Sequence, residues 1–141
     1  MSDFLRLAEE LSAYFSEIYY HCHPSFSINL SHQAVRALQL TAIRGGVTVQ
    51  DVAVHLGCAH NTASEIVRRL ADKQLLVRTR RKEDERVVEL RVTEFGRKIL
   101  QEQTGLDVRK LSGVLAAMPA AEREKVHSGF ALLLQHLREE T

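Results

Sequence analysis

Two short apolar-striped segments separated by a glycine, followed by an abrupt change of period, restrict this chain more than anything else in it. After Thr48, the residues Val49, Val52, Ala53 and Leu56 recur at helical spacing, and Gly57 stops them. Thr48 with Asp51 has the spacing of a capping box. A second stripe follows from about His60 to Lys73, formed by Ala63, Ile66, Val67 and Leu70. Two short helices joined by so brief a turn make a helix-turn-helix. The period then falls from helical to alternating. Leu75 to Arg80 and Val87 to Val92 are rich in strand formers, and the charged stretch Arg81 to Arg86 joins them, which reads as a hairpin. A hairpin directly after such a helix pair is a wing.

The flanks read as helices. Phe4, Ala8, Leu11, Phe15 and Ile18 give one helix over residues 3–20, and His21 to Leu30 is a loop. Ser31 caps a second helix ending near Ile43 at Gly45-Gly46. Thr93 caps a long fifth helix running to about Met118 with a bend at Gly105. Pro119 suits the first turn of a sixth, whose stripe is Val126, Phe130, Leu133, Leu134 and Leu137. The expected fold is mostly α: a winged helix-turn-helix with a two-stranded wing and terminal dimerisation helices. The expected division is 1–30 for an N-terminal dimerisation helix and loop, 31–93 for the winged domain and 94–141 for C-terminal dimerisation helices, all in one compact unit. One small winged helix cannot cover the stripe near the C-terminus, so a two-fold helical interface between copies is expected.

The net charge of +1 over 141 residues points to no partner, but its distribution does. Between His60 and Lys82, seven cations (Arg68, Arg69, Lys73, Arg78, Arg80, Arg81, Lys82) face two anions (Glu65, Asp72), a net +5. The rest of the chain therefore carries −4. A basic block on an otherwise acidic protein suits phosphate. In a helix-turn-helix the second helix enters the major groove by its N-terminal end. Here that end offers His60, Asn61, Thr62 and Ser64, with Arg68 one turn further on. Thr62 with Glu65 also has capping-box spacing, and the two roles can coexist. The wing tip adds Arg80, Arg81, Lys82, Asp84 and Arg86. Asp84 and Arg86, two apart, share a face of extended backbone, where the carboxylate can orient the guanidinium. Double-stranded DNA is the expected partner.

Leu56-Gly57 through Thr62, then Leu70, Leu75-Leu76 and Arg78, then Asp84-Glu85-Arg86 and Val92-Thr93-Glu94-Phe95-Gly96 resemble the MarR family of bacterial regulators. The spacing from Asp84 and Arg86 to Thr93 and Gly96 is the specific part. The resemblance covers residues 30–100 by motif. It implies an obligate dimer, a palindromic operator, a small-molecule or redox signal, and a wing arginine, Arg86, in the minor groove. The chain departs from the family at Gln74, where Gly is common, and at Ala59, often a small polar cap.

No catalytic residue and no cofactor are expected: there is no glycine-rich phosphate loop, nucleophile elbow or H-E-x-x-H pair. A small-molecule effector is expected between the dimerisation helices and the winged domain, with Tyr19, Tyr20, His23, His32 and Arg36 flanking that junction in sequence. A rigid fifth helix would transmit its binding. Cys22, beside Tyr19 and Tyr20, is the candidate redox residue. Cys58 reads as small packing. No metal site is assigned, although His21, Cys22 and His23 supply an alternative, a metal-responsive regulator. A second alternative is a winged-helix protein–protein adaptor. Two cysteines are too few for a disulfide scaffold, and Met1-Ser2-Asp3-Phe4 has no basic region of the signal-peptide kind. No apolar run spans a membrane, and the cytoplasm is the expected compartment.

Overall fold

In a computed structural model that describes residues 2–140, the chain runs through seven helices and two strands. They are α1 (Asp3–His21), α2 (His32–Arg44), α3 (Val49–Leu56), α4 (His60–Asp72), β1 (Leu76–Arg80), β2 (Val88–Val92), α5 (Glu94–Thr104), α6 (Val108–Ala117) and α7 (Ala120–Glu139). His23–Leu106 forms one compact unit; the residues up to Cys22 and those from Asp107 onward form another. No helix among the described residues is long and apolar enough to cross a membrane.

The winged unit has a single core. Ala37 and Leu38 of α2, Val52, Ala53 and Leu56 of α3, and Ala63, Val67 and Leu70 of α4 meet Val47, Leu75, Leu76, Leu90 and Ile99 there. Cys58 packs against its edge, as small packing should. Local chemistry sets each boundary. Ser31 Oγ accepts from Ala34 N at 3.1 Å and starts α2. Gly45 and Gly46, both left-handed (φ 68° and 60°), turn the chain out of it. Val47 then bridges to the wing, its carbonyl accepting from Leu90 N at 2.7 Å. The Thr48–Asp51 capping box is complete, with bonds of 3.0 and 3.1 Å. The Thr48 backbone N–H holds the Asp51 carboxyl below its usual range.

α4 begins at His60 after Ala59, which supplies no side-chain cap. Thr62 therefore lies inside the first turn and does not form the capping box its spacing to Glu65 suggested. Gln74 has φ 64°, so it adopts the left-handed conformation that glycine takes easily, at a cost of about 1 kcal/mol. The turn is held from both sides: Gln74 N donates to Ala71 O at 2.9 Å, and its carbonyl accepts from Thr93 Oγ1 at 2.7 Å. β1 and β2 pair antiparallel, Leu76 opposite Val92 through to Arg80 opposite Val88.

The expected fifth helix from Thr93 to about Met118 is two helices. Gly105 is extended (φ −100°, ψ −175°), and Asp107 starts α6 anew by accepting from Arg109 N and Lys110 N, each at 3.1 Å. A side chain immediately before a helical run that accepts from backbone N–H groups two and three residues on is an N-cap, and here it starts a new helix rather than bending the preceding one. The rigid rod invoked to carry an effector signal does not exist. α5 groups with the winged unit and α6 with the terminal one. Pro119 caps α7 and lies just outside it, not within its first turn.

In the terminal unit α1, α6 and α7 have no buried residue of their own. Phe4, Leu5, Leu7, Leu11 and Phe15 on α1 are exposed, as are Phe130, Leu132, Leu133, Leu134 and Leu137 on α7. Arg123 fastens α7 to the end of α6 through Leu115 O and Met118 O, at 3.1 and 3.0 Å.

Candidate nucleic-acid interface

The amphipathic pattern of α4 decides which of its side chains face out. Ala63, Val67 and Leu70 are buried, leaving His60, Asn61, Thr62, Arg68 and Arg69 exposed and Ser64 half-buried. The first turn has neither a side-chain cap nor an acidic residue, so its backbone N–H groups lack the usual partner. An uncapped helix N-terminus favours an anion. His60 Nδ1 lies 3.0 Å from Gln50 Oε1, which fixes the ring at the mouth of the turn.

About two turns on, the cations are engaged within the helix. Arg68 grips Glu65 through Nε at 3.0 Å and through Nη2, and reaches Asp72 Oδ2 from Nη1 at 2.9 Å. Arg69 Nε also donates to Glu65 at 3.2 Å. The Arg68 hydrogen bond keeps the Glu65 carboxyl below its ordinary range. Using Arg68 on DNA thus requires exchanging a carboxylate for a phosphate or a base.

The wing loop is a compact turn, not the extended backbone assumed for Asp84 and Arg86. Arg81 N donates to Val87 O at 2.8 Å, and Val87 N to Asp84 O at 3.0 Å. Within it Asp84 accepts from Arg86 three times: from the backbone N–H and Nε on Oδ1 at 3.1 and 3.0 Å, and from Nη2 on Oδ2 at 3.1 Å. The pairing holds even though the backbone between the two residues turns. The Arg86 side chain is 91% exposed, so a fully presented guanidinium is aimed by a fixed carboxylate. Arg80 Nη1 donates to Glu85 O at 2.9 Å, and Lys82 is exposed.

Arg81 differs from its neighbours. Its Nε donates to Glu89 Oε1 at 2.6 Å and its Nη2 reaches Gly46 O at 3.4 Å. Glu89 is buried and also accepts from Arg91 Nη2 at 3.4 Å. Sequence reasoning passed over Glu89. The signal was there: a carboxylate inside a strand, with an arginine two residues on and therefore on the same face.

The remaining candidates fall in both units. Tyr19 and Tyr20 end α1, Tyr19 half-buried and Tyr20 exposed. His23 and His32 are exposed in the winged unit, where His23 Nδ1 lies 2.8 Å from Pro24 O and its ring leans on Phe26. Arg36 Nη2 donates to His55 O at 3.1 Å. His21 lies 3.5 Å from Glu17, and Cys22 is buried. Among the described residues no three His, Cys, Asp or Glu side chains gather as a metal site would need.

Helix-turn-helix, wing and terminal helices in this order can be compared with known proteins. Residues 28–87 match the family model described as MarR family. This part of the chain is MarR-like. The match takes in α2 to α4, β1 and the wing loop up to β2. Solved structures extend the likeness of fold to nearly the whole chain. FabT of Streptococcus pneumoniae, in complex with DNA, is 22% identical over 99% of this chain and 100% of its own, with a TM-score of 0.57. A MarR-like transcriptional regulator of Thermotoga maritima is 21% identical over 98% and 99%, with a TM-score of 0.62. The transcriptional regulator Tm0710 of the same organism is 19% identical over 78% of each chain, with a TM-score of 0.59. At these identities the likeness establishes the MarR-type winged-helix fold. No curated protein sequence matches the chain.

Proposed function

We propose that this protein is a homodimeric transcriptional regulator that binds double-stranded DNA at a palindromic operator. In this reading α4 enters the major groove, where His60, Asn61, Thr62 and Ser64 meet base edges and phosphates. The wing reaches the adjacent minor groove with Arg86, while Arg80 and Lys82 contact backbone. Arg68 joins after leaving Glu65 and Asp72. The observation that carries the reading is the pairing of an uncapped helix N-terminus with a wing whose exposed arginine is braced by Asp84. That the similar FabT was solved in complex with DNA supports it.

Dimerisation is part of the proposal because the apolar faces of α1 and α7 have no cover within their own unit. Light scattering at micromolar concentration should give about 32 kDa, twice the chain's 16.0 kDa. A monomer mass would refute the dimer. DNA affinity should fall steeply between low and physiological salt, since each neutralised phosphate releases counterions. A flat salt response would favour the adaptor reading instead.

The finer proposal is repression relieved by a small molecule or by oxidation of Cys22. A structural neighbour, PcaV of Streptomyces coelicolor, was solved with its natural ligand. The candidate effector residues are Tyr19, Tyr20, His23, His32 and Arg36, of which Arg36 must first release His55 O. An effector must bind free protein more tightly than DNA-bound protein, by the factor with which it weakens DNA binding. Aromatic acids, zinc and peroxide titrated against the protein–DNA complex test this. A compound whose affinity is unchanged by DNA is no effector.

A further inference from the structure

The wing tip is presented by a loop that the helical core does not cover. Pairing of the wing with the core is supplied by Leu90 N on Val47 O. Beyond that point the hairpin would be free to tilt, as two-stranded ribbons twist and flex. Arg81 is the first residue of the loop, and its backbone N–H closes the turn on Val87 O. Its guanidinium leans back and joins two elements, donating Nε to Glu89 at 2.6 Å and Nη2 to Gly46 O in the turn between α2 and α3 at 3.4 Å. Glu89 holds a side-chain exposure of only 11% and receives Arg91 on its second oxygen. Thr79, directly opposite Glu89 in the sheet, has a buried hydroxyl without a hydrogen-bond partner, so Arg81 and Arg91 are what fix the carboxylate. A row of alternating charge thus passes from Arg91 through Glu89 to Arg81. Asp51 in the α3 cap feels the charge of Arg81 and lies 3.7 Å from Arg44.

We propose that Glu89 is a positioning residue for DNA binding: its buried carboxylate, acting through Arg81, locks the wing to the helix-turn-helix and so fixes where Arg86 meets the minor groove. This rests on the DNA-binding reading above, in which Arg81 becomes an anchor and not a DNA contact. The chemistry favours a clamp. A buried carboxylate stripped of its arginine is costly, so the pair stays closed. The closed pair adds no net charge that DNA could use. Rigidity is its product, since a preorganised wing avoids ordering cost at the moment of binding.

The test uses the full-length protein and two variants, Glu89→Gln, which keeps shape, and Glu89→Leu, which removes charge while suiting a buried site. Hydrogen exchange on free protein reads the clamp without DNA. The Arg81 and Val87 amides should exchange about tenfold faster in both variants, with α4 core amides such as those of Val67 and Leu70 unchanged. Wing amides that exchange at the wild-type rate would overturn the clamp. DNA affinity reads the consequence. Each variant should bind about tenfold more weakly, yet adding Glu89→Gln to Arg86→Ala should cost no more than Arg86→Ala alone, because both act through the wing. Losses that multiply would show a general structural role and refute the positioning role. If Arg86→Ala leaves DNA affinity unchanged, the DNA-binding reading fails and the positioning role with it, while the exchange result still decides whether the clamp exists.

Discussion

Gly96→Ala should unfold or gravely weaken the winged unit. Gly96 lies in the first turn of α5, where that helix leaves the wing, and its backbone meets the turn before β1. A methyl at its Cα would lie 2.0 Å from Leu75 O and 2.9 Å from both Leu75 C and Val92 Cγ2. The strand-entry backbone cannot retreat cheaply, because Leu75 O accepts from Thr93 N at 3.1 Å and Thr93 Oγ1 at 3.2 Å, while Leu75 N donates to Leu70 O. Shifting Leu75 would also disturb a fully buried side chain. Overpacking usually costs about 1–3 kcal/mol, and a clash with backbone belongs at or above the top of that range. Total stabilities are only about 5–15 kcal/mol, so much of the margin would go. Urea denaturation should give a midpoint lowered by several tenths of a molar or more, or no folded baseline. A wild-type midpoint would contradict this packing.

Arg86→Ala should leave the fold intact and lower DNA affinity by roughly a hundredfold. The side chain is almost fully exposed, so its removal costs little packing. In the proposed dimer it is lost twice, and a good arginine contact is worth about 1–3 kcal/mol each time. Asp84→Asn should fall between wild type and Arg86→Ala, since the guanidinium remains but loses its charged brace. Asp84 is held below its usual range by the Arg86 side chain, then by the Arg86 backbone N–H. A depressed carboxyl gives its stabilising contribution above the unfolded value near 4 and loses it as pH falls through the folded value. The brace is therefore intact at neutral pH. Circular dichroism should be unchanged in both variants, and fluorescence anisotropy with duplex DNA reads the affinity.

Short-range chemistry made most of the fold legible in sequence. Thr48 with Asp51, Gly57 and Ser31 are caps and stops whose partners lie within a few residues, and they stand where expected. Asp84 and Arg86 were legible as a pair for the same reason. Failures came where two local signals competed. Gly105 alone suggests a bend, but with Asp107 two residues later it ends one helix and begins another. Thr62 and Glu65 have capping spacing, yet Ala59 starts the helix because the preceding turn is set by Gly57 and core packing. Gln74 keeps the left-handed turn despite its side chain, so tertiary bonds from Thr93 outweigh local preference. Glu89 and Arg81 required the strand register, which brings residues eight apart together across a hairpin.

Selection from a random pool of double-stranded DNA with the purified protein, followed by binding of the enriched duplex across a salt series, tests the central claim most directly. The account predicts a pseudo-palindrome with half-sites about 10 base pairs apart, centre to centre, bound by one dimer. It also predicts an affinity that drops by orders of magnitude as salt rises from about 50 to 200 mM. A pool with no enriched sequence, together with binding that is absent or insensitive to salt, would contradict it.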